Sequence, residues 1–321
     1  MREMEKVVTA KGQRFLLRVE SSADDGDYQK YEDLRNEIWG FPEDHLAGTR
    51  NLACESFVHE GTSLFIGAFA EDGGRFPLDL AHMAGFSYGF VGIRDKDAGF
   101  GDIANLRFYS QYAGVRNHYR SFGLGILIKE FQKEILLDVY RLDQVICTFD
   151  PLTGINAYRN IHHFGMEVVE YREAVYGEFG GNLNRKDVPS DRFLMSWDLR
   201  REVRRPACEA ESSAGTEHRV IRAGTRTFAA PGGTVEVEAV QDVTPDLDAE
   251  CLLVQVPRDF YRMLRETDVD DPDVRRIPFD WRMATRQAFQ TLFRRGYEVA
   301  DFLRAGEGDA ENLYLLRKKA L

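Results

Sequence analysis

GVRNHYRSFGLGILIKEFQKE, residues 114–134, places an arginine and two glycines, Arg120-x-x-Gly123-x-Gly125, directly before an amphipathic segment. Just upstream, residues 106–115 read LRFYSQYAGV, an aromatic and β-compatible run expected to be a strand. Downstream, Leu124, Leu127, Ile128, Phe131, Ile135 and Val139 recur at spacings of three and four. They form one face of a helix, with Lys129, Glu130, Lys133 and Glu134 on the others. A helix start carries unpaired N–H groups and the positive end of the dipole, which suit a phosphate. Glycine at 123 and 125 would let a diphosphate approach the backbone, and Arg120 adds a permanent cation. A Walker A loop is excluded because no Lys-Ser/Thr follows Gly125, and a dinucleotide fingerprint lacks its first glycine. Two glycines that only shape a turn are the plain alternative, and this stretch alone leaves it open.

The rest of the composition sets bounds. The chain has 321 residues, 43% hydrophobic and 30% charged, enough for one large core or two modest ones. A net charge of −11 argues against non-specific nucleic-acid or anionic-membrane binding. No apolar run approaches the roughly 20 residues of a spanning helix, and MREMEKVV has no signal-peptide core. Cys54, Cys147, Cys208 and Cys251 lack metal-type spacing and are expected as thiols in a reducing cytoplasm.

Along the chain, residues 14–20, 63–70, 82–93, 106–115, 144–149, 167–171 and 192–199 read as strands. Helices are expected near residues 28–39, 124–139 and 156–164. Alternation of this kind implies an α/β layer structure. Residues 201–217 mix charge, Ser, Gly and Pro and read as a linker. Beyond it, Ala288-Phe289 leads to Gly296-Tyr297-Glu298-Val299-Ala300-Asp301-Phe302 at the spacing that joins Ala157-Tyr158 to Gly165-Met166-Glu167-Val168-Val169-Glu170-Tyr171. Each copy reads as helix, glycine cap and strand. With strands expected at 252–256 and 313–316, residues 218–321 form an α/β extension that reads as a degenerate half-repeat without the arginine–glycine loop.

The strand, Val115, four residues, Arg120-x-x-Gly123-x-Gly125 and the helix together resemble the acyl-CoA-binding signature of the GNAT superfamily of N-acetyltransferases. Thr148-Phe149-Asp150-Pro151-Leu152, Asn156-Ala157, Tyr176-Gly177 and Asp191-Arg192-Phe193 are similar to a bacterial branch of predicted acetyltransferases within it. The resemblance implies an α/β fold with a mixed, mostly antiparallel twisted sheet flanked by helices, over a domain of residues 1–200. It also implies acetyl-CoA as co-substrate. Arg120, Ser121, Phe122, Gly123, Leu124, Gly125 and Ile126 would be the diphosphate loop, and Val115 the pantetheine contact.

The implied reaction is acetyl transfer to a primary amine, which must first lose its proton. Asp150, at the end of a strand expected to border the thioester, is the nominee for base; Asp-Pro turn chemistry is its alternative reading. The family commonly places a tyrosine four residues before the glycine that ends the next helix. Here that position is Ile161, and Tyr158 lies one turn earlier as the remaining proton donor. Asp191 and Arg192 are expected to orient the acceptor or to form a structural ion pair. A backbone N–H within residues 114–116 is expected to polarise the thioester carbonyl. His162 and His163 are adjacent, without an i+4 histidine, so no metal is expected. The acceptor is expected to be a small-molecule amine, and the C-terminal part to shape the acceptor cleft or a homodimer interface. A non-catalytic acyl-CoA sensor stands as the alternative.

Overall fold

The run LFIGAFA is buried at every position and forms a central strand, β3 (Leu64–Ala70), in the computed structural model of the chain. The structure describes residues 4–40, 49–177, 180–203, 218–230, 233–304 and 311–319. Of the expected linker, residues 204–217 lie outside them.

Two compact units divide the chain, Met1–Cys147 with Asp198–Arg200, and Thr148–Trp197 with Arg201–Leu321. The division falls after Cys147, inside a strand, rather than at residue 200 where the composition changes.

In the first unit the strands follow chain order: β1 (Glu5–Ala10), β2 (Gln13–Val19), β3, β4 (Met83–Ile93), β5 (Leu106–Val115) and β6 (Gln144–Phe149). Pairing is antiparallel from β1 through β5, and β5 runs parallel to β6. The strand β1 was not legible in the sequence reading. Three helices belong here: α1 (Gln29–Trp39), α2 (Thr49–Glu55) and α3 (Leu124–Ile135). Trp39 of α1 packs on Phe86 of β4, while Ile128 of α3 lies 3.2 Å from where a Cβ of Gly85 would stand. Neighbouring strand residues face opposite sides, so the two helices cover opposite faces of the sheet. The apolar stripe of α3 is buried as its spacing predicts, at Leu124, Ile128, Phe131 and Ile135.

The second unit takes in the last two residues of β6 and continues with α4 (Gly154–Ala157), which widens into a π-helical turn, Tyr158–His163. Strands β7 (Glu167–Arg172) and β8 (Arg192–Asp198) then pair antiparallel. A five-stranded sheet follows, in the order β10-β9-β11-β13-β12. Its members are β9 (Arg219–Ala230), β10 (Gly233–Val243), β11 (Cys251–Val256), β12 (Tyr297–Arg304) and β13 (Asn312–Lys318). The long hairpin of β9 and β10 was not expected from sequence. Between β11 and β12 run α5 (Phe260–Glu266), α6 (Pro272–Arg275) and the 18-residue α7 (Ile277–Arg294).

The two copies read from the sequence share a detail of register. Pairing of β7 with β8 slips between Val168 and Glu170, and pairing of β12 with β13 slips between Val299 and Asp301. When the two glycines Gly165 and Gly296 are superposed in sequence, the bulged residues Val169 and Ala300 coincide. An aromatic core then joins both copies: Phe193 of β8 and Tyr314 of β13 pack on Phe289 of α7, at centroid distances of 4.8 and 5.1 Å.

Cys251 is disulfide-bonded, whereas Cys54 and Cys147 are free thiols, so the expectation of four thiols fails at Cys251. Among the described residues no helix is long and apolar enough to cross a membrane, and no group of three His, Cys, Asp or Glu could hold a metal ion.

Candidate functional site

The site read from residues 114–126 lies wholly in the first unit, and its geometry starts at a bulge. Tyr88 pairs with Tyr112 but Gly89 pairs with Ser110, so Gln111 is an extra residue on β5. On the opposite edge of β5, the register with β6 consists of Phe108 with Val145 and Tyr109 with Ile146 among the described residues. Beyond Tyr109 no further register between β5 and β6 is seen among the described residues, and such a place suits an extended ligand.

The chain then turns sharply. The N–H of Arg116 donates to Ala84 O at 2.9 Å, closing the β4–β5 ladder. That N–H is therefore spent, which corrects the expectation that Arg116 helps to polarise a carbonyl. The Arg116 guanidinium grips Glu37 of α1 through two bonds of 2.7 and 2.8 Å. A 3-10 turn, Asn117–Phe122, leads into α3. Its ring residues anchor it: Tyr119 and Phe122 both meet the buried Phe15 edge-on, at 5.4 and 6.0 Å.

Gly123 joins the two helical pieces with φ 75°, a left-handed conformation that glycine adopts without strain. No side chain caps α3, and its first turn holds no acidic residue. Ile126 N–H bonds back to Gly123 O, which leaves the N–H groups ahead of it pointing out of the helix start. Arg120 is exposed and bends back so that its Nε lies 3.4 Å from Val115 O. Val115, Arg120, Ser121, Phe122, Gly123, Leu124, Gly125 and Ile126 are thus brought together as one continuous turn, from strand end to helix start.

The other expected residues lie in the second unit and form a different object. Asp150 is buried, and its carboxylate accepts from Leu152 N–H at 2.9 Å, from Arg192 at 3.3 Å, and from both terminal nitrogens of Arg282. Burial alone would raise its pKa. The guanidiniums of Arg282 and Arg192 outweigh that and hold the carboxyl below the usual range. Asp191 is fully buried and takes two bonds from Arg286, at 2.8 and 2.7 Å, plus the Tyr171 hydroxyl at 2.7 Å. Asp191 and Arg192 do not pair through their side chains; Arg192 reaches only the backbone oxygen of Asp191, at 2.7 Å. Consecutive residues at a strand start point to opposite faces, so each found a partner elsewhere. Tyr158 is half-buried and stacks on His162 at 4.6 Å, while His162 Nδ1 faces the buried carboxylate of Asp301 at 3.0 Å.

Arg282 and Arg286 were missed by the sequence reading. The signal was present as an arginine pair spaced i, i+4 in WRMATRQAF, one face of one helix. Nothing local tied that pair to two aspartates more than ninety residues away.

No family model matches the chain, and no curated protein does. Solved structures do align with part of it. The chain is similar to Arabidopsis thaliana NAA60 in complex with acetyl-CoA at 14% identity, over 57% of this chain and 99% of that one, with a TM-score of 0.42. For the ribosomal-protein-S5-alanine acetyltransferase of Vibrio fischeri the values are 12%, 61%, 97% and 0.43. For the ribosomal-protein-S18-alanine N-acetyltransferase of Escherichia coli they are 12%, 60%, 99% and 0.38.

Proposed function

We propose that the chain is an acyl-CoA-dependent acyltransferase that moves an acetyl group from acetyl-CoA to a primary amine. One observation carries the reading: the register of β5 with β6 stops at Tyr109 among the described residues, and β5 runs on through Val115 directly into a glycine-opened helix start that no side chain caps. An extended amide-bearing arm fits the first feature and a diphosphate the second, in the order in which coenzyme A presents them. Arg120, exposed beside the turn, supplies the cation for the diphosphate. Acetyl-CoA would bring an activated thioester, so the protein need only hold it, bind the amine and manage protons.

The bulge at Gln111 takes over from residues 114–116 as the place for an N–H that polarises the thioester carbonyl, since a bulge lifts a residue out of the regular ladder. Asp150 we assign to shaping its turn rather than to taking the amine proton, because two guanidiniums already engage it. Asp191 and Arg192 belong to the same frame. Tyr158 remains our nominee for returning a proton to the thiolate, and Ile161 is buried. For the acceptor we favour a small cationic amine, which the net charge of −11 would attract. The engaged state of Asp150 also favours a second reading, an acyl-CoA-binding sensor without turnover.

Calorimetry with acetyl-CoA tests the proposal. Wild type should bind, and Gly123→Asp/Gly125→Asp should not, because the carboxylates occupy and repel the diphosphate position. A folded wild type that fails to bind would refute it. Amine-dependent thiol release separates the enzyme from the sensor.

A further inference from the structure

The turn after β6, Asp150 to Gly154, is the segment singled out in the sequence as Thr-Phe-Asp-Pro-Leu. Its own hydrogen bonds are modest: Leu152 N–H to the Asp150 carboxylate, Thr153 N–H to Asp150 O, and the Thr153 hydroxyl to Asp150 O at 2.7 Å. Three residues from the far end of the chain then seize it. Arg282 of α7 clamps the Asp150 carboxylate. The hydroxyl of Tyr314, at the middle of β13, donates to Pro151 O at 2.7 Å. Asn312, at the start of β13, closes over Gly154 so tightly that a Cβ there would stand 2.3 Å from Asn312 Nδ2. Asn312 is itself fixed, its amide donating to Pro257 O at 2.9 Å and to Arg258 O at 3.1 Å. Arg282 and Tyr314 are fully buried and Asn312 nearly so.

These contacts fall on three of five consecutive residues and come from two separate elements. A helix start, α4, follows immediately, so whatever fixes the turn also fixes where that helix begins. The half-repeat has no arginine–glycine loop of its own. We infer that its work is to hold the Asp150–Gly154 turn, and that Arg282, Asn312 and Tyr314 are positioning residues that fix, through it, the start of α4 and the place of Tyr158, our nominee for the proton donor in transfer. The inference about transfer rests on the reading under Proposed function; the inference about the turn does not.

The test uses the full chain with three variants: Tyr314→Phe, which removes one oxygen and keeps the ring; Gly154→Ala; and Asn312→Ala. Amide hydrogen exchange of the peptide spanning residues 148–157 is read alongside acetyl-CoA affinity. Thiol release from acetyl-CoA is measured with water alone and with a panel of a polyamine, an aminoglycoside and a peptide with a free N-terminus. Tyr314→Phe should speed exchange in that peptide and lower thiol release by about tenfold or more, with affinity changed less than about twofold, since small misplacements at a reacting centre cost rate rather than binding. Gly154→Ala and Asn312→Ala should do the same, the first by pushing the Asn312 amide off the turn and the second by removing it. Exchange and release equal to wild type in Tyr314→Phe, or in both of the other variants, would overturn the inference. A wild type that neither binds acetyl-CoA nor releases thiol would sink the transferase reading, while hydrogen exchange would still decide whether the turn is held.

Discussion

Asp150 shows how a single side chain can carry two readings at once. Its position before a proline marked it as both a turn former and a candidate base, and both readings were legible in five letters. What the letters did not carry was Arg282, which lies in another element and gives the carboxylate its partner. The consequence for stability has a definite sign. Burial would raise the pKa, but the paired guanidiniums lower it below the value of the free side chain. The pair therefore contributes fully above the unfolded pKa of about 3.9, and the contribution is lost as pH falls through the lower, folded value. Asp150→Asn leaves Arg282 buried without its anion and should cost about 3–5 kcal/mol at neutral pH. Urea midpoints at neutral and acidic pH check both points. The gap between wild type and variant should shrink in acid, and a gap that widened would contradict the sign.

Helix α7 is the element on which most of the second unit depends, and its stripe was only half visible in advance. Ala288-Phe289 was read as the end of a helix, and both residues are buried with Trp281 and Leu292. The arginines were not singled out, yet Arg282 is fully buried and Arg286 pairs with a buried aspartate. Local patterns disclose the period of a helix but not which distant strand will cover it. The hairpin β9–β10 was missed for the opposite reason. Its VEVEAVQDV stretch was present in sequence, but Glu236, Glu238 and Asp242 leave it few apolar positions, and no strand was read between the linker and residue 252. The ring of Phe289 meets Phe193, Tyr314 and Tyr171, so Phe289→Ala should open a cavity among three aromatic partners. We expect a loss of about 3–5 kcal/mol, read by denaturant unfolding. A loss under about 1 kcal/mol would mean that the rings collapse onto one another.

On the scale of the whole chain, strands β2 to β8 and the glycine turn before α3 followed from sequence because each is set by short-range spacing. The boundary did not, since it is decided by which core each segment joins. Residues 148–197 belong with the C-terminal half, and the ion pairs of Asp150 and Asp191 cross between the two copies. A chain ending at residue 200, where composition alone would cut it, takes Arg282 and Arg286 from the two aspartates, and Phe289 and Tyr314 from the Phe193 ring. We expect that fragment to be insoluble or to lack a cooperative thermal transition, whereas the full chain unfolds cooperatively. A soluble fragment with a sharp transition would show that the first 200 residues fold on their own. The register slip shared by β7 and β12 has a further effect. Each is the last strand of its run, with pairing on one side only. A strand that breaks step partway along cannot offer a passing chain an uninterrupted ladder of donors and acceptors. Among the described residues each of these two edge strands thus breaks step once, which interrupts the ladder it could offer to another chain.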